Sequence, residues 1–325
     1  MKIKKILQGI LCLMVLMSCN KKSPTSDNKK SIVTTNFICY DLARGICAKG
    51  DAEKNKIFAG MQNVDVDLQM ILKPGTDLHS FDPSPMDIIM IENADVFIYT
   101  GGESDEWVKK LLKTLKNPPA CVFSLMENID IEESHENCTT EGHDHDSHAH
   151  KFDEHIWTSP QNTLELLDKL TSAISNANAE NAEIYQANAT IYKEEIRKAQ
   201  TAVKDVLATK QKHLLVMGDR FPLVHFAKEF DLQYYAAFSG CSSAVEASPA
   251  TISKLINIIK TENLPAVFTI ELSNRRIAKT ISESAGVKVL ELNAAHNLTQ
   301  EQFNAQMTYV DTLYANAKAL DAGLR

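Results

Sequence analysis

Short apolar runs alternate with segments of helical period along most of the chain. "SIVTTNFICY" precedes "DLARGICAKG", "VDVDLQMIL" precedes "PMDIIMIENA", "DVFIYTG" precedes "ESDEWVKKLLKTLK", and this series ends on "ACVFSLM". Strands spaced by helices of that length predict βα units and a parallel sheet covered on both faces. A second series starts at "HLLVMGD" with "FPLVHFAKEF" and continues through "LQYYAAFSG", "SPATISKLINIIKTEN", "PAVFTIE", "SNRRIAKTISESAG" and "VKVLELN" to the helical "TQEQFNAQMTYVDTLYANAKAL". The expected fold class is α/β, with two βα lobes built on parallel sheets.

Between the two series the chain has apolar residues at helical spacing and no proline from Gln161 to Gln211. Leu164, Leu167 and Leu170 open one helix; Ile184, Ala187, Ile191 and Ile196 mark a second with a charged opposite face. Its position predicts a long linking helix between the lobes, stiff enough to restrict them to small rocking. The divisions expected are a leader at 1–18, a tether at 19–31, an N-terminal lobe at 32–178, the linking helix at 179–211 and a C-terminal lobe at 212–325.

The leader has lysines at 2, 4 and 5, then the apolar stretch Ile6–Met17, too short to span a bilayer comfortably. "LMSC" resembles the lipobox of bacterial lipoproteins, which implies cleavage before Cys19, a lipid on that cysteine and an extracytoplasmic, membrane-anchored protein; a plain secretory leader gives the same compartment. Cleavage takes three positive charges from a chain of formal net charge −8, leaving −11. An acidic surface of that kind argues against nucleic acid and suits a cationic ligand. Cys39, Cys47, Cys121, Cys138 and Cys241 form no CxxC pair, so a zinc ribbon is not expected. One or two disulfides are permitted, Cys39 and Cys47 being nearest in sequence.

The stretch 133–152 alternates His135, His143, His145, His148 and His150 with acids and small residues. It offers no apolar face to bury, so a solvated loop is expected, able to bind metal weakly because nothing preorganises it. "HDHDSH" nearly spells the HxHxDH run of metallo-β-lactamase-fold hydrolases, but Ser147 replaces the aspartate and nothing stiff precedes it. No HExxH or comparable arrangement accompanies it, so an enzyme is not expected. Two further histidines sit in more structured places: His79 in "DLHSFDPSP", after an apolar run and the turn signal "KPGT", and His155 in "DEHIWTSP", where Ser159 and Pro160 read as a helix N-cap and N1.

Taken together, the lipobox, "PGTDLHSFDPSP", the acidic His-rich loop, "DEHIWTSP", a long helix and a second βα half resemble the zinc- and manganese-binding solute receptors of bacterial ABC importers. The likeness runs from residue 31 to the end. It implies two lobes joined by a rigid helix, a metal in the interlobe cleft, and His79 and His155 as ligands from the first lobe. In the second lobe the likeness frays. Gly218 or Asp219 in "VMGDRFP" stands where that family has a histidine or glutamate, and His225 reads as packing. His296 in "LELNAAHNLT" stands where the family has a carboxylate. The expected ligand set is therefore His79, His155 and His296, with Asp219 or water completing the shell. Glu271 is a reserve carboxylate, with Arg275 and Arg276 expected to hold it in an ion pair. Three imidazoles favour Zn2+ over Mn2+, which prefers more oxygen donors. The resemblance implies a monomeric receptor that passes its ion to an ABC permease, the His-rich loop acting as a low-affinity collector. The rival readings are a manganese receptor, a zinc-dependent hydrolase and a surface adhesin in which the metal is only structural.

Overall fold

The structure, a computed structural model, describes residues 29–130, 153–239 and 247–324. The leader, Cys19, the loop histidines 135, 143, 145, 148 and 150, Cys138 and Cys241 lie outside them. In the first lobe, β1 (Lys30–Thr34), α1 (Phe37–Cys47), β2 (Val66–Met70), α2 (Pro85–Glu92), β3 (Val96–Tyr99), α3 (Glu106–Leu112) and β4 (Cys121–Ser124) alternate strictly. Two helices follow, α4 (Pro160–Ala177) and α5 (Ala182–Ala208). The second lobe repeats the alternation with β5 (Leu214–Phe221), α6 (Val224–Glu229), β6 (Gln233–Ser239), α7 (Pro249–Thr261), β7 (Ala266–Ile270), α8 (Arg276–Ala285) and β8 (Lys288–Leu292), and the chain closes with α9 (Gln300–Asn304) and α10 (Tyr309–Gly323).

The sheets are four-stranded and parallel throughout, in the orders β2-β1-β3-β4 and β6-β5-β7-β8. Helices on both faces explain the unbroken apolar runs "VFIY" and "AVFTI", which are buried at every position. In each sheet the second and third strands in the order leave in opposite directions along the chain, so a crevice opens at their carboxyl ends.

The structure departs from the expected reading in three places. Strand β1 begins at Lys30, so the last two residues of the expected tether already belong to the sheet, where the Ser31 N–H donates to Asp95. "FICY" opens a helix instead of extending a strand, because the Asn36 side chain accepts from the Cys39 N–H and caps it. Cys39 and Cys47 carry free thiols, as does Cys121. The first two lie at opposite ends of α1, about 12 Å apart by helical rise and beyond disulfide reach.

One continuous apolar core joins the lobes, running from Ile32 through the faces of α4 and α5 to Leu324, with smaller clusters on the outer face of each sheet. Helix α5, of 27 residues and therefore about 40 Å long, lies against α1 of the first lobe and α10 of the second. Its buried stripe is Tyr185, Ala189, Tyr192, Ile196, Val203 and Leu207, while Ala187 is exposed and Ile184 and Ile191 are only half-buried. The stripe is rotated from the aliphatic pattern because the two tyrosines are the bulkiest groups on the helix and take the contact with the core.

Polar groups cross the same seam. Asn188 donates to the carbonyls of Ile46 and Gln62 and accepts from the Gln62 N–H. The Asp41 carboxylate, fully buried, is shared by Arg44, the Tyr192 hydroxyl and the Tyr309 N–H, and Arg44 reaches on to the Met307 carbonyl at 2.6 Å. Burial works against the Arg44 charge and Asp41 more than offsets it, so the guanidinium is held more firmly protonated than usual.

Gly45 permits the close approach of α1 to α5, since a Cβ there would stand 2.6 Å from the Tyr192 ring. Gly45→Ala is expected to cost about 1–3 kcal/mol by overpacking. Calorimetry should show a lower Tm in one cooperative transition, because the core is shared by both lobes.

Candidate metal centre

His79, His155 and His296 converge at the carboxyl ends of the strands. His79 stands in the turn Leu78–Ser80 after β2, begun by Asp77, whose side chain accepts from the His79 N–H at 2.8 Å. His155 precedes the turn Ile156–Thr158, which leads to Ser159 and Pro160 as the N-cap and N1 of α4. His296 follows β8, just after Ala295 at φ 57°. Ring centroids lie 5.4 Å (79–155), 5.6 Å (79–296) and 4.8 Å (155–296) apart. One ring nitrogen from each falls within 4.8 Å of the others.

Each of the three rings is held by its Nδ1. Asp153 Oδ1 is 2.8 Å from His155 Nδ1, and Glu271 Oε1 is 2.8 Å from His296 Nδ1. His79 Nδ1 is 2.9 Å from the Ser104 hydroxyl and 3.4 Å from Glu154. With each Nδ1 engaged, the Nε2 atoms of all three are buried and lack a hydrogen-bond partner. Buried polar atoms are ordinarily satisfied, so three orphans facing one another mark the place of a ligand. A carboxylate on Nδ1 is what a metal-binding imidazole uses to keep its Nε2 lone pair free and well directed. Tetrahedral zinc with bonds of about 2.0–2.1 Å needs nitrogens roughly 3.3 Å apart, closer than the 4.8 Å limit within which these atoms lie.

The electrostatics agree with a cation site. Burial and the facing imidazoles of His296 and His155 push the His79 pKa down to about 3, so this ring is neutral at ordinary pH. Burial alone would lower His155 as well, but Asp153 together with Glu154 and Glu271 outweighs it and the pKa is raised. Burial opposes ionisation of Asp153 and Glu271, and the histidine facing each outweighs it, so both carboxyls are held below their usual range. Trp157 closes one side, its ring edge-on to His155 and His296 and its Nε1–H donating to the Ala294 carbonyl across the seam at 2.7 Å.

The first-lobe loop carrying His79 is fastened to the second lobe. The Gly75 N–H, at φ +84°, donates to the Leu298 carbonyl; Asn297 donates to the carbonyls of Lys73 and Thr76; Arg220 pairs with Asp77 at 2.9 Å.

Other expected site residues are placed differently. Asp219 lines a pocket of about 40 Å³ with His79 and His296 but is not among the groups converging within 4.8 Å. Its carboxylate accepts from Thr269, Ser273 and the Arg220 N–H instead. Gly218 has no room for a side chain, since a Cβ would lie 2.5 Å from the Ala278 backbone. Glu271 is not held by Arg275, which pairs with Glu291. The Glu271 oxygens accept from His296 and the Ala294 N–H, so it is engaged in holding a histidine. His225 is buried on α6 with Nε2 3.1 Å from the Asp153 carbonyl, a packing residue outside the trio. Sequence reasoning passed over Asp153, Glu154 and Ser104. The signal for the first two was their adjacency to His155 in "DEH"; Ser104 is twenty-five residues from His79 and gave none.

Two parallel-sheet lobes with an imidazole cluster across their seam define a class of two-lobed α/β binding proteins. The profile of the family described as "Zinc-uptake complex component A periplasmic" matches residues 32–323, and the chain belongs to that family. It is 27% identical over 322 residues to the zinc-binding lipoprotein AdcA of Streptococcus pneumoniae, matching 98% of this chain but only 60% of that protein. It is 26% identical over 327 residues to the high-affinity zinc uptake system protein ZnuA of Bacillus subtilis, covering 96% of this chain and 95% of that one. The solved zinc-bound, ZnuA-like domain of Streptococcus pneumoniae AdcA shares the fold at a TM-score of 0.70, with 24% identity over 91% of this chain and 99% of that one.

If the three orphan nitrogens are a ligand site, Zn2+ added to metal-free protein should raise the Tm, since a ligand at 1,000 times its Kd stabilises by about 4.1 kcal/mol. His155→Ala and His296→Ala should abolish the rise in a thermal-shift measurement, and Asp219→Ala should keep it.

Proposed function

We propose that this protein is an extracytoplasmic receptor that captures Zn2+ in the cleft between its lobes and delivers it to an ABC import permease. The observation that carries the reading is the convergence of three buried, unpartnered Nε2 atoms from both lobes. The zinc-binding and zinc-uptake names of AdcA and ZnuA point the same way. His79, His155 and His296 are the ligands in this reading. The pocket of about 40 Å³ beside His79 and His296 is of the size that holds one water, which supplies the fourth donor in place of Asp219. An all-imidazole trio whose neighbouring carboxylates are already engaged favours zinc over manganese.

Residues 32–178 and 212–325 act as the two lobes and 179–211 as a strut between them. The shared core keeps their relative motion small, so release proceeds by a slight rocking that breaks the ties of the His79 loop to Asn297, Leu298 and Arg220 and so withdraws His296 from His79 and His155. Cys19 carries the lipid anchor, the receptor works as a monomer, and the histidines of 133–152 collect zinc for the cleft. Among the described residues no helix is long and apolar enough to cross a membrane, which accords with attachment through the N-terminus.

Coordination needs neutral imidazole, so protons compete with zinc. His79, with its pKa near 3, stays neutral and adds nothing to that competition in mildly acid solution. His155, whose pKa is raised above the ordinary 6.5, takes up a proton as the pH falls through its own value, and zinc must displace it. Zinc affinity measured by chelator competition should therefore fall from about pH 7.5 to 5.5, and a flat profile would exclude His155 as a ligand.

In cells deleted for the gene and grown in chelated medium, the wild-type gene should restore growth and zinc accumulation, whereas His155→Ala and His296→Ala should not. Restoration by those variants would refute the transport reading. Deleting 133–152 should slow uptake only when zinc is scarce.

A further inference from the structure

Ser104 and Glu154 lie beside the trio without being candidates for ligation. Ser104 sits in the turn Glu103–Asp105 after β3, and Glu154, 1% exposed, immediately precedes His155. Ser104 occupies both oxygens of Glu154: its N–H donates to Oε2 at 3.0 Å and its hydroxyl to Oε1 at 2.5 Å. Gly102 makes the space, since a Cβ there would stand 2.0 Å from Glu154 Oε2. A serine hydroxyl has one proton and a carboxylate can only accept, so that proton points at Glu154. The remaining contact of the hydroxyl, 2.9 Å from His79 Nδ1, must then be donated by the ring. Glu154 Oε1, 3.4 Å from the same nitrogen, favours a proton there too.

We propose that Ser104 and Glu154 are positioning residues that fix His79 as the Nδ1–H tautomer and so keep its Nε2 lone pair aimed at the other two imidazoles. The proposal deepens the zinc-site reading and rests on it. It also separates His79 from its partners: His155 and His296 donate straight to carboxylates at 2.8 Å, whereas His79 reaches its carboxylate through a hydroxyl. A directly bonded carboxylate raises the basicity of a ligating imidazole. His79 is consequently the weakest donor of the three.

The relay has a direction, and the isosteric Glu154→Gln reverses it. The glutamine amide donates to the Ser104 hydroxyl, which turns its proton to His79 Nδ1 and drives the ring proton onto Nε2. Long-range 1H–15N spectra of the metal-free full chain should show His79 as Nδ1–H in the wild type and shifted toward Nε2–H in Glu154→Gln. Ser104→Ala should weaken Zn2+ binding about 10–100-fold, with the fold unchanged by circular dichroism, and Ser104→Thr should restore it. An Nε2–H ring in the wild type would overturn the proposal. So would Ser104→Ala binding Zn2+ within about twofold of wild type while His79→Ala loses it. If His79→Ala itself binds as wild type does, the zinc-site reading fails instead, and the metal-free spectra still decide the relay.

Discussion

Everything at the cleft depends on one constraint: each of three imidazoles has one nitrogen bonded and the other buried without a partner. A buried polar atom without a hydrogen bond ordinarily costs about 1–3 kcal/mol, and here three such atoms face the same point. Their arrangement makes sense as stored ligand geometry. The carboxylates of Asp153 and Glu271 and the Ser104–Glu154 pair fix each ring by its Nδ1, so the cost of orienting the donors is met by folding rather than by the arriving cation. The same carboxylates supply the negative charge that a divalent ion needs once its water is removed.

The lobes that carry these rings are joined far more firmly than two domains on a flexible linker. A single apolar core continues through α4 and α5, and the buried Asp41 carboxylate gathers groups from α1, α5 and α10 at one point. A hinge opening by tens of degrees would tear that core and strand Arg44 with its charge buried. In the proposed reading only small rocking remains, acting between His296 on the second lobe and His79 and His155 on the first. The loop 73–77 concentrates the consequence. It leads directly into the turn that carries His79 and is tied to Leu298, Asn297 and Arg220 on the other side, so relative motion of the lobes acts on the ring.

The second lobe illustrates how position and role separate. Asp219 has the right residue type and borders the right pocket, yet its oxygens are spent on Thr269, Ser273 and the Arg220 amide. Glu271 is also a carboxylate and meets the site indirectly, through His296. Two carboxylates at neighbouring strand ends thus differ in function because of which donors the fold places around each. Neither distinction resides in the residue type.

The sequence by itself determined the alternating βα order, the long helix between two sheets and the histidines in "DLHSF", "DEHIW" and "NAAHN". Those features are local or periodic: burial on both faces of a parallel strand writes a continuous apolar run, and a helix writes its 3.6-residue stripe, even if the tyrosines of α5 shifted that stripe from its aliphatic reading. Only the tertiary structure decided what surrounds each ring. Ser104 meets His79 across the first lobe, Glu271 meets His296 across a strand pair, and the Asp153 carbonyl meets His225. Such partners are set by where strand ends and turns come to rest in space, and hydrogen bonds between residues far apart in the chain leave no period or spacing behind for a reader of the sequence to find.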